Sequence, residues 1–237
     1  MNRDVIHYIV PPGREGFQGT RANLEATSIS PLPDHPGLYC HWDDTLWSGR
    51  FRDQIWSGAA LGCELRAGAT PVGRAEATVF RFPAGTSGGQ MRAAFEAVNA
   101  SLAALGAVLE RKPSWARLAR STRILYLEEI EIVAGRRGTG LGTAFSREIL
   151  HHAQICFGAG RVMLLAWPFN HNATPGACAA QIPRGAVLVS DREAVEAHRR
   201  LHRFYQHILG VRPVRADGGH YWFSSPLGAM HPARAAA

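Results

Sequence analysis

The chain has 237 residues, of which 46% are hydrophobic and 19% are charged, and 26 lysines and arginines against 19 aspartates and glutamates give a formal net charge of +7. This composition excludes a disordered or collagen-like chain, and the length suits one domain over residues 1–237. The longest apolar stretch, Val162–Phe169, is far shorter than the about 18 residues of a membrane-spanning helix. Since no apolar leader follows the N-terminus, we expect a cytoplasmic protein with no membrane partner.

The cysteines and the lysines exclude several kinds of chemistry. The four cysteines lie far apart and form no Cys-x-x-Cys pair. We therefore expect free thiols in a reducing compartment and no bound metal. Lys112 is the only lysine, so no lysine follows a glycine-rich loop, and a Walker-type phosphate loop is excluded. The excess of arginine favours an anionic partner, such as a cofactor that carries phosphates.

The first predicted elements are strands separated by loops. Prolines and glycines punctuate residues 1–55, so we expect this part to be loop-rich, with one short strand at Val5–Val10. Two β-rich segments, Ala60–Leu65 and Glu76–Phe82, flank a turn at Gly68–Pro71. This arrangement predicts a β-hairpin.

A helix is predicted after the hairpin. Apolar residues recur at three- and four-residue steps from Met91 to Leu109, which indicates one helix of about 20 residues. Pro113 is expected to end it, because proline cannot continue a helix from within. The helix lies in a segment, residues 85–115, that we interpret as a helical insertion between two strands.

Strands and helices alternate in the second half of the chain. A β-rich segment at Ile124–Val133 precedes a glycine-dense turn and a helix at Thr143–Phe157, and an apolar run at Arg161–Phe169 predicts a buried strand. The last predicted elements are a strand at Ala186–Val189, a helix from the capping box at Ser190 to about Leu209, and strands at Val211–Arg215 and His220–Ser224. The whole pattern predicts a mixed α+β domain.

The glycine-dense turn between strand and helix can bind an anion. Gly138, Gly140 and Gly142 permit close approach to backbone N–H groups, and the N-terminus of the helix carries the positive end of its dipole. A dinucleotide-binding fingerprint matches poorly, because the spacing is Gly-x-Gly-x-Gly and no acidic residue ends the next strand. A plain strand-to-helix turn is the alternative interpretation.

Two motifs of the second half resemble a known family. The GNAT acetyltransferase signature is Arg/Gln-x-x-Gly-x-Gly/Ala after the fourth strand, and it is matched by Arg137-Gly138-Thr139-Gly140-Leu141-Gly142. The last helix of that family is similar to Phe204-Tyr205-Gln206-His207-Ile208-Leu209-Gly210-Val211. The resemblance covers residues 124–224 as a cofactor-binding core. It implies a mixed, mostly antiparallel central sheet flanked by helices and splayed between its fourth and fifth strands.

The resemblance also implies an activity and a cosubstrate. The family moves an acetyl group from acetyl-CoA to an amine by direct attack in a ternary complex, so the expected acceptor is a small-molecule or peptide amine. The backbone of Ile132 and Val133 would bond the pantetheine arm of acetyl-CoA. The amides from Arg137 to Gly142 would hold the pyrophosphate.

Carboxylates near the end of the strand are candidates for the general base. Strand alternation predicts Glu129 and Glu131 on one face, and Glu128 on the other. By the family pattern Glu129 is the first candidate and Glu131 the second. The alternative is that these acids form ion pairs with the neighbouring arginines Arg123, Arg136 and Arg137.

An aromatic residue of the last helix is the candidate proton donor. The Tyr205 phenol could protonate the departing thiolate, since the usual pKa of a phenol is about 10. The spacing from Tyr205 to Gly210 is one residue longer than the family commonly has, and one residue turns a helix by about 100°. Whether Tyr205 or Phe204 faces the thioester is therefore open at this point.

A serine hydrolase is one rival interpretation. Residues 85–89 have the Gly-x-Ser-x-Gly pattern around Ser87, with Asp191 and His220 in a suitable later order. The upstream oxyanion motif is missing, and the surplus of small residues favours a flexible loop. Ser87 is therefore the less favoured nucleophile.

Other patterns suggest binding without catalysis. His152 and Cys156 have the i, i+4 spacing of a metal pair, but no second pair is near, so a surface histidine beside a small buried thiol is favoured. The basic segment His198–Arg203 could bind nucleic acid, although the solvated face of a helix is the simpler interpretation. A catalytically silent relative that binds CoA is a further alternative.

Overall fold

The structure is a computed structural model that describes residues 5–7, 17–22, 25–51, 54–98, 100–165, 192–215 and 221–227. The strands are β1 (Val5–His7), β2 (Phe17–Ala22), β3 (Glu25–Pro31), β4 (Leu38–Phe51), β5 (Gln54–Ala67), β6 (Thr70–Arg81), β7 (Arg123–Ile132), β8 (Ala159–Leu165), β9 (Val214–Arg215) and β10 (Tyr221–Pro226). The helices are α1 (Gly88–Glu96), α2 (Ala100–Arg111), α3 (Pro113–Ser121), α4 (Leu141–Phe157) and α5 (Arg192–Leu209).

All of these strands belong to one sheet. Its order is β1-β2-β4-β5-β6-β7-β8-β10-β9, and β3 pairs with the part of β4 that β2 leaves uncovered. The described strand pairs are antiparallel except for β7 and β8, which are parallel because α4 carries the chain back from the end of one strand to the start of the other. The predicted mixed, mostly antiparallel sheet with flanking helices is confirmed at this level.

Each face of the sheet has its own apolar core, since side chains of a strand alternate between the faces. The first core lies against α4 and α5 and includes Leu127, Phe145 and Phe223. The second core lies against α1, α2 and α3 and includes Phe95 and Tyr126. Strand β7 contributes to both cores through Ile124–Leu127, whereas the residues from Glu128 to Glu131, near the turn that follows, are partly exposed.

Residues 1–55 are not loop-rich where the structure describes them. β3 and the 14-residue strand β4 occupy much of this segment, and β4 pairs with β5 along its whole length. The sequence pattern hides this strand because its buried face includes Asp44 beside Cys40 and Trp42. Of the prolines that suggested loops, Pro33 and Pro36 lie in the turn between β3 and β4, whereas Pro11 and Pro12 lie outside the described residues.

The single helix predicted from Met91 to Leu109 is two helices. α1 and α2 run antiparallel: a Cβ atom at Gly106 would lie 2.8 Å from the Cα of Arg92, and one at Gly88 would lie 2.8 Å from the Cα of Glu110. The apolar spacing continues in phase from one helix to the next, which is why it looks like one stripe. Pro113 follows α2 as expected and also occupies the first turn of α3.

The remaining predicted elements are mostly confirmed. The hairpin is β5 and β6, the strand–turn–helix–strand order is β7, α4 and β8, and Gly158 ends α4 with φ of 64°. Parts of the chain with predicted features lie outside the described residues: Ala186–Val189, Ser190, Asp191, Cys178 and His220. In the described segments, no helix combines the length and the apolar character needed to cross a membrane.

Candidate active site

The glycine turn connects β7 to α4. β7 ends at Ile132, a single 3-10 turn follows at Ala134–Arg136, and α4 begins at Leu141 with Gly140 as its N-cap residue. Gly138 and Gly140 have φ of 78° and 82°, in the left-handed region that other residues adopt only with strain. The sequence needs glycine at these two positions because of backbone conformation.

The backbone N–H groups of this turn are unpaired within the described residues, and two of its glycines lie beside open space. Within the described part of the chain, the N–H groups from Gly138 to Gly142 have no acceptor, and no side chain caps the helix. A Cβ atom at Gly138 or Gly140 would have no heavy atom within 4 Å. The Arg137 amide differs, because it donates to the Ala134 carbonyl at 3.2 Å. Unpaired amides at a helix N-terminus attract anions.

Ile132 and Val133, the two residues expected to bond the pantetheine arm, differ in the direction and the partners of their backbone groups. The Val133 N–H donates to the Val72 carbonyl at 3.0 Å, and the Val133 carbonyl accepts from the Arg136 N–H at 2.9 Å. The backbone of Ile132 points to the other edge of β7, because successive residues of a strand alternate in direction. The Ile132 carbonyl accepts a hydrogen bond from Arg137 Nε at 2.8 Å. The backbone of Ile132 therefore points to the β8-side edge of β7, where Arg137 uses its carbonyl, whereas both backbone groups of Val133 are engaged.

Strand β7 is bordered by β8 along only part of its length. The parallel pairing runs from Arg123 opposite Ala159 to Leu127 opposite Leu164. Beyond Leu127, β7 continues to Ile132 while remaining paired with β6 on its other side. Among the described residues, the β8-side edge of this last part of β7 has no strand partner.

A β-bulge brings three carboxylates onto one face. Glu129 pairs with Glu76 and Leu127 pairs with Ala77, so Glu128 is the extra residue of β7. The Thr78 hydroxyl donates to the Glu128 carboxylate at 2.6 Å, on the face that also carries Glu129. The prediction that alternation separates Glu128 from Glu129 and Glu131 is therefore wrong, because an unpaired residue shifts the alternation by one position.

The carboxylates are paired with an arginine from the neighbouring strand. Arg74 donates from one terminal nitrogen to Glu129 at 2.9 Å and from Nε to Glu131 at 3.0 Å. The coulombic attraction of Glu129 is the main cause that raises the pKa of Arg74. The arginine paired with Glu129 and Glu131 is therefore Arg74, and not Arg123, Arg136 or Arg137 as expected. One arginine thus fixes two adjacent carboxylates in position.

Phe204 and Tyr205 of the last helix lie in different surroundings. A Cβ atom at Gly142 would lie 3.5 Å from the Phe204 ring, so Phe204 lies against the glycine turn. Tyr205 packs in the first core, with its ring 5.8 Å from that of Phe223. Burial raises the pKa of the Tyr205 phenol well above its usual value.

Ser87 has a structural role at the start of α1. Its hydroxyl accepts from the Gln90 N–H at 3.2 Å, and the Ser87 N–H donates to the Gln90 side chain at 2.7 Å. This reciprocal pair is a capping box. The two other residues of the hydrolase hypothesis, Asp191 and His220, lie outside the described residues.

The histidine and cysteine near the end of α4 are not arranged as the sequence suggested. The His152 side chain is 10% exposed and bonds to Asp44, whereas Cys156 is exposed. The sequence led us to expect a surface histidine and a buried thiol, but the histidine is the mostly buried residue and the thiol is the exposed one. In the described segments, no group of three or more potential metal ligands is present.

Comparison with known proteins adds no family assignment. No family model, no curated protein and no solved structure matches this chain. The function of the site therefore has to follow from its own geometry and chemistry.

Proposed function

We propose that this chain is an N-acetyltransferase with a GNAT-like fold that transfers the acetyl group of acetyl-CoA to an amine. The observation that carries the proposal is the run of N–H groups from Gly138 to Gly142 at the N-terminus of α4, which have no acceptor among the described residues and lie beside open space at Gly138 and Gly140. This run suits a pyrophosphate, because several donors and a helix dipole act on the same anion. The partial pairing of β7 with β8 supports the proposal, since a cofactor arm can extend from the turn into that gap.

The backbone geometry selects which groups would hold the pantetheine arm. Ile132 and Ile130 direct their N–H and carbonyl groups to the β8 side of β7, as alternate residues of one strand. The arm would pair with Ile130 and with the N–H of Ile132 in the manner of an added strand, since Arg137 already uses the Ile132 carbonyl. Val133 has no part in this role, because β6 and the 3-10 turn use both of its backbone groups.

The acidic residues of β7 favour a cationic amine as the acceptor. Glu128, Glu129 and Glu131 share one face with Glu76, and Arg74 neutralises only part of their charge. The ammonium form of an amine is attracted to this cluster, and Glu129 or a water that it holds then takes the proton that attack requires the amine to lose. The bulge adds Glu128 to the candidate bases, which sequence alternation had placed on the other face.

Tyr205 is the proposed donor of a proton to the thiolate of CoA. Its raised pKa keeps the phenol protonated at neutral pH, so a proton is present when the thioester breaks. Phe204, against the glycine turn, would pack beside the cofactor and exclude water. The acetyl carbon would lie between the base and Tyr205, and CoA would leave as the neutral thiol.

Binding of nucleic acid without catalysis is the second candidate function. It is supported by the exposed arginines of α5, which are Arg199, Arg200 and Arg203. Arg203 forms an ion pair with Glu196 at 3.1 Å, which reduces the positive charge of this face. Retention on immobilised DNA that falls steeply with salt, without retention on a CoA resin, would favour this candidate.

Calorimetry with acetyl-CoA tests the proposal. We expect Gly140→Val to weaken binding of acetyl-CoA by about tenfold or more, because the side chain covers the amides and strains a residue with φ of 82°. The matched control is Gly135→Val, since Gly135 also lies in open space but has no positive φ. Pantetheine lacks the pyrophosphate, so its binding should respond little to either substitution.

Two results would contradict the proposal. One is that acetyl-CoA does not bind to the unmutated chain. The other is that Gly135→Val and Gly140→Val weaken binding equally. Circular dichroism of each variant separates loss of binding from loss of the fold.

A further inference from the structure

A second cluster of reactive groups lies between β4 and the C-terminal half of α4. His152 Nε2 is 2.8 Å from Asp44 Oδ2, and His152 Nδ1 is 3.6 Å from the Cys156 sulfur. A carboxylate only accepts hydrogen bonds, so Nε2 carries the proton of the neutral imidazole and Nδ1 can accept the proton of the thiol. The order thiol, imidazole, carboxylate is that of a nucleophile, its base and the group that orients the base.

The imidazole of this cluster is held in one orientation. The Trp42 ring stacks on His152 with 3.7 Å between centroids and 7° between planes, and the Phe157 ring lies 5.8 Å away. The side chains of His152 and Asp44 are only 10% and 8% exposed, whereas Cys156 is exposed to solvent. The base is therefore fixed within the protein, and the thiol that it serves is accessible.

The Asp44 carboxylate is buried, although burial of a carboxylate oxygen without a partner is unfavourable. Among the described residues, Asp44 Oδ1 has no hydrogen-bond partner. A buried carboxylate oxygen without a partner destabilises the fold, so such a group calls for an explanation other than stability. Orientation of His152 towards Cys156 supplies one.

We propose that Cys156 is a nucleophilic thiol that exchanges with low-molecular-weight disulfides, with His152 as its general base and Asp44 as the positioning residue. The thiol proton passes to His152 Nδ1 while the Cys156 sulfur attacks one sulfur of the disulfide. The disulfide bond breaks, a mixed disulfide forms at Cys156, and the departing sulfur takes the proton from Nδ1. Cys156 is oxidised, and the small disulfide is reduced to one free thiol and one protein-bound half.

The surroundings of Cys156 favour a disulfide over an acyl group as the substrate. The last turn of α4 presents carbonyl oxygens, and the Gly158 N–H already donates to the Gln154 carbonyl. An acyl group would need N–H donors for its oxyanion. Exchange with a disulfide spreads the negative charge over sulfur atoms and ends with a protonated leaving group.

The charges around the thiol explain why it needs a base. Partial burial and the charge of Asp44 raise the pKa of Cys156, so the thiol stays protonated at neutral pH. The other ionisable groups near the cluster are Glu148 on α4, Cys40 on β4 and Cys63 on β5. Cys63 donates or accepts a hydrogen bond with Cys40, and this contact with burial and the charges of Asp44 and Glu148 raises its pKa. Both of these thiols are buried, so reagents reach Cys156 first.

This site is separate from the proposed transferase site. Cys156 is 14 residues along α4 from Gly142, which corresponds to about 21 Å at 1.5 Å per residue. The inference does not depend on the binding of acetyl-CoA. Its test therefore can fail while the proposed function stands, and the reverse also holds.

The test uses the full chain with Cys178→Ser and glutathione disulfide as the probe. Mass spectrometry follows the mixed disulfide on the Cys156 peptide between about pH 6 and pH 9. We expect the rate to rise by much less than tenfold per pH unit, because His152 takes the thiol proton during the attack and the thiol need not ionise beforehand. His152→Gln should lower the rate at neutral pH by about a hundredfold and leave a rise of about tenfold per pH unit, as for a thiol without a base.

The variants Asp44→Asn and His151→Gln separate the orientation of the His152 ring from a general structural effect on α4. Asp44→Asn should lower the rate by about tenfold or more, because the amide can donate to Nε2 and move the ring proton to Nδ1. His151→Gln, one residue from the base on the same helix, should leave the rate unchanged. Cys156→Ser should form no adduct.

Several results would overturn the proposal. They are a rate of the unmutated thiol that rises about tenfold per pH unit, an equal rate in His152→Gln, or an adduct at Cys40 or Cys63 in place of Cys156. The profile of the unmutated chain decides even where a variant fails to fold.

Discussion

At the scale of single residues, burial of Tyr205 makes the stability of the protein depend on pH. The phenol has a raised pKa in the folded chain, so it keeps its proton where the unfolded chain loses it, at about pH 10. The unfolding free energy should therefore fall as pH rises through that value. Urea unfolding at a series of pH values should show a smaller fall of the unfolding free energy for Tyr205→Phe than for the unmutated chain. The difference between the two slopes against pH should correspond to at most one bound proton. Cys63 contributes to the same fall, which is why the difference between the two proteins is the quantity to measure.

Tyr39→Phe is the control for this measurement, because it removes an exposed phenol. Equal pH dependence of the unmutated chain and Tyr205→Phe would contradict the role of burial at Tyr205.

Single residues also show what the sequence could and could not predict at the site. The left-handed glycines, Gly138 and Gly140, were predictable, because a strand–turn–helix order with alternating glycines is a local pattern. The bulge at Glu128 was not, because it depends on how β7 pairs with β6, more than 50 residues earlier in the chain. The Arg74 ion pair follows from the same pairing, so local sequence pointed to the wrong arginines.

At the scale of elements, close contact between α1 and α2 predicts an unusual response to a glycine substitution. Replacement of a helical glycine by alanine ordinarily stabilises a helix by about 1 kcal/mol. Gly106→Ala should instead destabilise the protein by about 1–3 kcal/mol, because its Cβ would lie 2.8 Å from the Arg92 Cα and the helices must separate. Urea unfolding at neutral pH measures the difference.

Gly89→Ala is the matched control, since its Cβ would meet only the flexible end of the Glu110 side chain, at 3.4 Å. We expect it to be neutral or stabilising. A stabilising Gly106→Ala would show that the two helices are not in backbone contact.

The elements that the sequence predicted differ from those it missed in whether contacts between distant segments decide them. β7, α4 and β8 were predictable because each has a continuous apolar pattern and a glycine or a turn at its end. The reversal between α1 and α2 and the strand β4 were not, since contacts between distant segments decide them. Gly106 is small because Arg92 approaches it, and β4 is a strand because β5 pairs with it.

At the scale of the whole molecule, the sheet separates the proposed catalytic groups. Glu129 and Glu131 lie on the face opposite to α4, whereas Tyr205 packs in the core against α4. Among the described residues, the place where a thioester could meet both is the edge of β7 beyond Leu127, where the pairing with β8 has ended. The proposed transfer therefore requires the acetyl group to pass between strands.

This geometry predicts that Glu129 and Tyr205, which lie on opposite faces of the sheet, both take part in the transfer of the acetyl group. Glu129→Gln and Tyr205→Phe should each lower turnover of a cationic amine by about ten- to ten-thousand-fold, because each removes an acid–base group. Glu64→Gln is the control, since Glu64 lies one strand beyond β6 and is paired with Arg66. Release of free thiol from acetyl-CoA measures turnover, and calorimetry should show unchanged cofactor binding in all three variants. Unchanged turnover in Glu129→Gln and Tyr205→Phe would exclude both residues from the transfer. Binding of acetyl-CoA without release of free thiol by the unmutated chain would leave a protein that binds CoA without catalysis.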